Sequence, residues 1–177
     1  GQTGFAFPYD WRRDLVEAAR QLGEAIERLK SGLHDPALKV SLLCHSTGGL
    51  VARYYAKYGT ADVLDQDPLP PPTYAGAKNI SRIVMLGTPN AGSMEMFQRL
   101  HEGRWIPTIG RWTQETMFTM PAAYQLFPHD GNAVFVDAQG RPLDVDLYTP
   151  DNWERYGWSA FRPSRQAAVR RRLLQRD

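Results

Sequence analysis

The sequence predicts an α/β layered fold with parallel strands, and three observations carry that prediction. Two apolar runs of strand length, Lys39–Cys44 and Ile80–Leu86, each end in a glycine-bearing turn. A helical pattern follows each turn directly, from Gly48 in the first case and from near Ser93 in the second. The residues between the two runs are numerous enough for a crossover, which parallel pairing requires and a hairpin does not.

The elements follow in order. Residues 1–8 form a loop rich in glycine and aromatic side chains. Leu15, Ala18, Ala19, Leu22, Ala25, Ile26 and Leu29 then recur at three- and four-residue steps, with charged and amide residues between them, so a helix is expected. Asp10 or Asp14 opens it and Ser31-Gly32 closes it. Asp35-Pro36 marks a turn before the first strand. The second helix runs from Gly48 to Tyr58 and stops at Gly59. Within 60–79, Pro68, Pro70, Pro71 and Pro72 forbid helix and disfavour strand, which predicts a surface excursion. After the second strand a helix carries Met94, Met96, Phe97 and Leu100 on one side. Residues 101–132 are rich in Trp, Met, Phe and Pro without a clear period, and residues 133–147 read as a hairpin around Gly140. The last residues form a basic helix bearing Arg162, Arg165, Arg170, Arg171, Arg172 and Arg176. Residues 1–93 are thus expected to be the central part of the layered core. Residues 94–177 are expected to be an irregular cap or lid within the same domain.

Composition narrows the function. A chain of 177 residues suits one domain with a sizeable core. A net charge of +2 gives no pull toward nucleic acid, and no apolar stretch approaches the roughly 20 residues that span a bilayer. The single cysteine, Cys44, excludes an internal disulfide. The four histidines and one cysteine lack ligand spacing, so no metal is expected. Gly87 and Gly92 do not make a phosphate loop, and no cofactor is expected.

The chemistry concentrates in Cys44-His45-Ser46-Thr47-Gly48. A strand, a tight turn and an immediate helix form the context of a nucleophile elbow with Ser46 at its apex. There the serine hydroxyl stands clear of the sheet, and the N–H of the next residue, Thr47, points at a developing oxyanion. Strand and helix meet closely, so small residues are needed two before and two after the serine; Gly48 and Cys44 meet that need. The competing reading is a Ser-Thr-Gly-Gly turn that only caps the following helix. A serine nucleophile also needs an imidazole base held by a carboxylate. His45 adjoins the serine but neighbouring residues on such a turn diverge, and His34 precedes the elbow strand at the opposite end of the sheet. His101 and His129 fall in the cap, where His129-Asp130 reads better as a polar turn than as a dyad. Asp137 or Asp146 followed by a later histidine would fit the usual order of partners, but no histidine follows residue 129.

Four stretches together resemble the lecithin:cholesterol acyltransferase family of α/β-hydrolases: Tyr9-Asp10-Trp11-Arg12, Cys44-His45-Ser46-Thr47-Gly48-Gly49, Gly87-Thr88-Pro89-Asn90-Ala91-Gly92, and Asp146-Leu147-Tyr148 leading to Trp153. The resemblance implies a partial α/β-hydrolase fold, Ser46 as nucleophile, Thr47 as the donor of one oxyanion N–H, and Asp10 with Arg12 as a structural pair near the site. It implies that the catalytic Asp and His follow the cap and that a second oxyanion donor comes from an upstream loop. The chain is therefore expected to be the central part of a longer enzyme and inactive by itself. The expected substrate is a lipid or other acyl ester, turned over by hydrolysis or by transfer to an alcohol. The basic terminal helix could touch a membrane surface, or serve only as a solvated face. A non-catalytic binding domain of the same fold is the alternative.

Overall fold

A computed structural model describes residues 4–106, 110–128 and 134–158, and the chain divides into two compact units, Gly1–Asn90 and Ala91–Asp177. The first unit begins with α1, Leu15–Gly32. Asp14 is its N-cap: the carboxylate accepts the Val16 N–H at 2.8 Å, relieving one of the unpaired amides of the first turn. Glu17 in the first turn and Lys30 in the last complement the helix dipole. The predicted stripe is the packed one, with Leu15, Val16, Ala18, Ala19, Leu22 and Ile26 buried.

Strand β1, Val40–His45, leads into helix α2, Gly48–Tyr58, and strand β2, Ile80–Leu86, lies parallel to β1. The register sets Leu42 beside Ile83, Leu43 beside Val84, Cys44 beside Met85 and His45 beside Leu86. Helix α2 packs on both strands and on α1. Its Val51, Ala52, Tyr55 and Tyr58 are buried, so two tyrosines of this helix serve the core. At Gly23 of α1 a Cβ atom would fall 2.6 Å from the Thr60 methyl and 2.9 Å from the Tyr55 ring, so only glycine lets the two helices approach this closely.

The proline-rich excursion is anchored. Tyr58 donates to the Pro70 carbonyl at 3.1 Å, and the Val63 N–H donates to the Tyr54 hydroxyl at 3.1 Å. A 3₁₀ turn at Ala77–Asn79 then buries Asn79, whose amide donates to the Tyr55 hydroxyl at 2.9 Å and whose carbonyl accepts from Lys30 at 2.6 Å. Prolines remove backbone donors, so the segment forms neither helix nor strand and is held by these side-chain bonds.

The second unit holds α3 (Met94–Glu102), an antiparallel pair β3 (Arg104–Ile106) and β4 (Gly110–Trp112), then two short helices, α4 (Gln114–Phe118) and α5 (Pro121–Gln125). A hairpin of β5 (Phe135–Val136) and β6 (Pro142–Leu143) turns at Gly140, where the sequence placed one, though its ladder is much shorter than the segments predicted. Helix α6 spans Pro150–Arg155. Trp153, Phe127, Leu100 and Met117 are almost fully enclosed. The Phe97 ring meets Trp158, Trp153, Phe135 and Phe127 edge-on, at centroid distances of 4.7, 5.3, 5.9 and 6.2 Å. Met117, Phe118 and Met120 are buried side chains of this unit. The basic terminal helix and His129-Asp130 lie outside the described residues, as do the side chains of Trp105 and Trp112.

Candidate active site

The site is built where β1 hands the chain to α2. The Ser46 N–H donates to the Leu86 carbonyl at 2.9 Å, so the ladder between the strands continues one residue past β1. The backbone then turns at once: Ser46 has φ of 52°. That left-handed conformation costs a non-glycine residue about 1–2 kcal/mol. It persists because both sides are fixed. The strand holds the amide, and the Gly49 N–H donates to the Ser46 carbonyl at 3.1 Å. Leu50 and Val51 in turn donate to the Thr47 carbonyl at 2.9 and 3.1 Å. Ser46 is half-buried, and among the described residues neither its hydroxyl nor the Thr47 N–H takes a hydrogen bond. Both groups sit at the positive end of α2, which favours negative charge developing beside them.

Close packing behind the elbow falls one residue later than the sequence suggested. A Cβ on Gly48 would meet only ordinary contacts, 3.7 Å from the Tyr9 hydroxyl and 3.9 Å from the Cys44 Cβ. A Cβ on Gly49 would lie 2.0 Å from Thr88 Oγ1 and 2.8 Å from Thr88 Cβ. The glycine requirement therefore comes from the loop after β2 pressing on α2. Arg53 of α2 secures that loop by donating to the Asn90 side chain at 2.5 Å. The Thr88 hydroxyl is buried without a hydrogen-bond partner among the described residues. Cys44 is half-buried, and burial raises its thiol pKa, so it remains a neutral packing group behind the turn.

The segment before α1 reaches the elbow through Tyr9. Its hydroxyl lies 2.8 Å from Thr47 Oγ1. Asp10 and Arg12, expected as a structural pair, do pair with one another. Arg12 Nε and Nη2 donate to the two carboxylate oxygens at 2.7 and 2.6 Å, and the Arg12 N–H adds a third bond at 3.1 Å. Hydrogen bonds from the Arg12 side chain, and then from its backbone, lower the Asp10 pKa to about 2. Among the described residues no hydrogen bond joins this pair to Ser46 or Thr47. The pair braces an exposed turn, closed by the Arg13 N–H on the Asp10 carbonyl at 3.1 Å.

The tight turn at Ser46 and Thr47 falls where the sequence placed it, whereas the contacts of Tyr9 and Thr88 have no sign in the sequence. Both lie in stretches that carry the family resemblance, but a bond across 38 residues leaves no local pattern. Of the other candidate bases, His45 ends β1 on its exposed side and His34 lies in the turn between α1 and β1. No group of three or more His, Cys, Asp or Glu side chains among the described residues could hold a metal ion. No described helix is long and apolar enough to cross a membrane.

No curated protein and no solved structure matches the chain. The lecithin:cholesterol acyltransferase family model matches residues 1–161 of the 177, a span that holds the parallel strand pair, the strained serine and the Thr88 loop. The chain therefore belongs to the lecithin:cholesterol acyltransferase family, whose members act on lipids as acyltransferases.

Proposed function

We propose that the protein is a serine-nucleophile enzyme that moves or releases acyl groups from lipid esters through an acyl-enzyme on Ser46. The observation that carries this reading is the strained serine, at φ of 52° between a strand and a helix N-terminus. Strain at a conformation few residues adopt is kept where chemistry uses it. In this reading the Ser46 hydroxyl attacks the ester carbonyl and gives its proton to an imidazole base. The carbonyl oxygen becomes an oxyanion that accepts from the Thr47 N–H and from a second donor. Collapse breaks the ester C–O bond, and the leaving alkoxide takes the proton from the imidazolium. Water or an acceptor alcohol then repeats the sequence on the acyl-enzyme, releasing a fatty acid or a new ester.

Residues 1–93 contribute the central part of a partial α/β-hydrolase core and residues 94–177 its cap segment. Among the described residues none is assigned as the base, its carboxylate or the second oxyanion donor. Lipid substrate fits the family, and the basic terminal segment would meet an anionic membrane surface. The test uses the full-length protein on a phospholipid ester. Ser46→Ala should lower kcat by about a thousandfold or more. Wild-type turnover in that variant would exclude the acyl-enzyme on Ser46, and no turnover in the unsubstituted protein would leave a binding domain of the same fold.

A further inference from the structure

We infer that Tyr9 is a positioning residue for the oxyanion donor: its hydroxyl holds the Thr47 side chain and so fixes the direction of the Thr47 N–H. The inference rests on the function proposed above for Ser46 and Thr47.

Three observations support it. Thr47 stands at the N-cap of α2, where a threonine hydroxyl ordinarily accepts a bond from an amide of the first turn, yet here it makes no such cap. Tyr9, from 38 residues upstream, takes that hydroxyl instead at 2.8 Å. The Tyr9 ring is itself held, stacked on Phe7 at 5.9 Å between centroids and 21° between planes. Thr47 is thus fixed at three points. The Ser46 carbonyl, in the same peptide plane as the Thr47 N–H, is tied by the Gly49 amide, the Thr47 carbonyl by the Leu50 and Val51 amides, and the side chain by Tyr9. An amide bracketed in this way has little room to rotate, and a preorganised donor stabilises an oxyanion without reorganising during the reaction. A Cβ on Gly48, in the first turn of α2, would lie 3.7 Å from the Tyr9 hydroxyl. A valine or alanine at 47 would keep the N–H and lose the tether.

The experiment compares Tyr9→Phe, Thr47→Val, the double variant and Thr47→Ser in the full-length protein. Turnover of a p-nitrophenyl acyl ester and the rate of fluorophosphonate labelling are measured with Ser46→Ala as reference. Each single variant should lose about five- to tenfold in kcat with KM unchanged, the pattern of an interaction expressed in the transition state. The double variant should lose no more than the worse single, because both substitutions break one bond. Thr47→Ser, which keeps a hydroxyl, should recover to within about threefold of wild type. Losses that multiply in the double variant, a rise in KM matching the fall in kcat, or singles with wild-type kcat would each overturn the inference. A lower melting temperature with unchanged kcat would show that the bond only braces the fold, and would overturn it as well. Activity that survives Ser46→Ala would defeat the acyl-enzyme reading first, and this inference with it.

Discussion

At the scale of single residues, two kinds of side chain differ in how openly the sequence displays them. The tight turn at Ser46 was legible because the signal is local: an apolar strand, a turn of small residues and a helix pattern adjoin it. Its neighbours Tyr9 and Thr88 were not, since only the fold brings them to the elbow. Asp10 and Arg12 were found as a pair by resemblance, and their geometry adds a titration that can be checked. The Asp10 pKa is depressed from 3.8 to about 2 by its bonds to Arg12. A depressed carboxylate pKa stabilises the folded state above the unfolded value, and that contribution is lost as pH falls from about 4 toward about 2. Both side chains are substantially exposed, so solvent keeps the contribution small. Carbon-detected NMR of the Asp10 carboxyl should give a midpoint near 2, moving back toward 3.8 in Arg12→Gln. A wild-type midpoint near the unperturbed value would contradict the bonded turn.

At the scale of elements, periodicity decided what could be read. Helix α2 and strand β2 have the ends the sequence predicted, and α1 starts where Asp14 caps it. Each is long enough for its period to repeat. Helices α4 and α5 have five residues each, little more than one turn, so residues 101–132 could show no helical repeat. The same lesson applies to packing. Two adjacent glycines open α2 and look alike in sequence, but only Gly49 faces Thr88. Gly49→Ala should therefore destabilise the protein by about 1–3 kcal/mol, as overpacking does. Gly48→Ala should be neutral or stabilising by up to about 1 kcal/mol, because alanine is the better helix residue and the site has room for it. Denaturant unfolding of the two variants measures the contrast. Equal effects would refute the close approach of the Thr88 loop.

At the scale of the whole molecule, the first unit has an α/β layer with one sheet face covered and the other open. Leu43, Val84 and Leu86 point to the open face and are 74%, 44% and 50% exposed. Parallel strands are ordinarily covered on both faces, so an apolar open face marks a surface that other structure would cover. In the 177-residue chain, Leu43→Lys should change the unfolding free energy by no more than about 0.5 kcal/mol. A loss of about 2 kcal/mol or more would mean that the face is already buried. The second unit gathers its own aromatic core around Phe127 and Trp153, a feature that composition hinted at and no periodicity located. The proposed chemistry requires Ser46 to be an activated nucleophile. Fluorophosphonate treatment of the full-length protein, followed by peptide mass spectrometry, tests that most directly. The adduct should appear on Ser46 and vanish in Ser46→Ala; a protein active on lipid esters that carries the adduct on another residue would contradict the account.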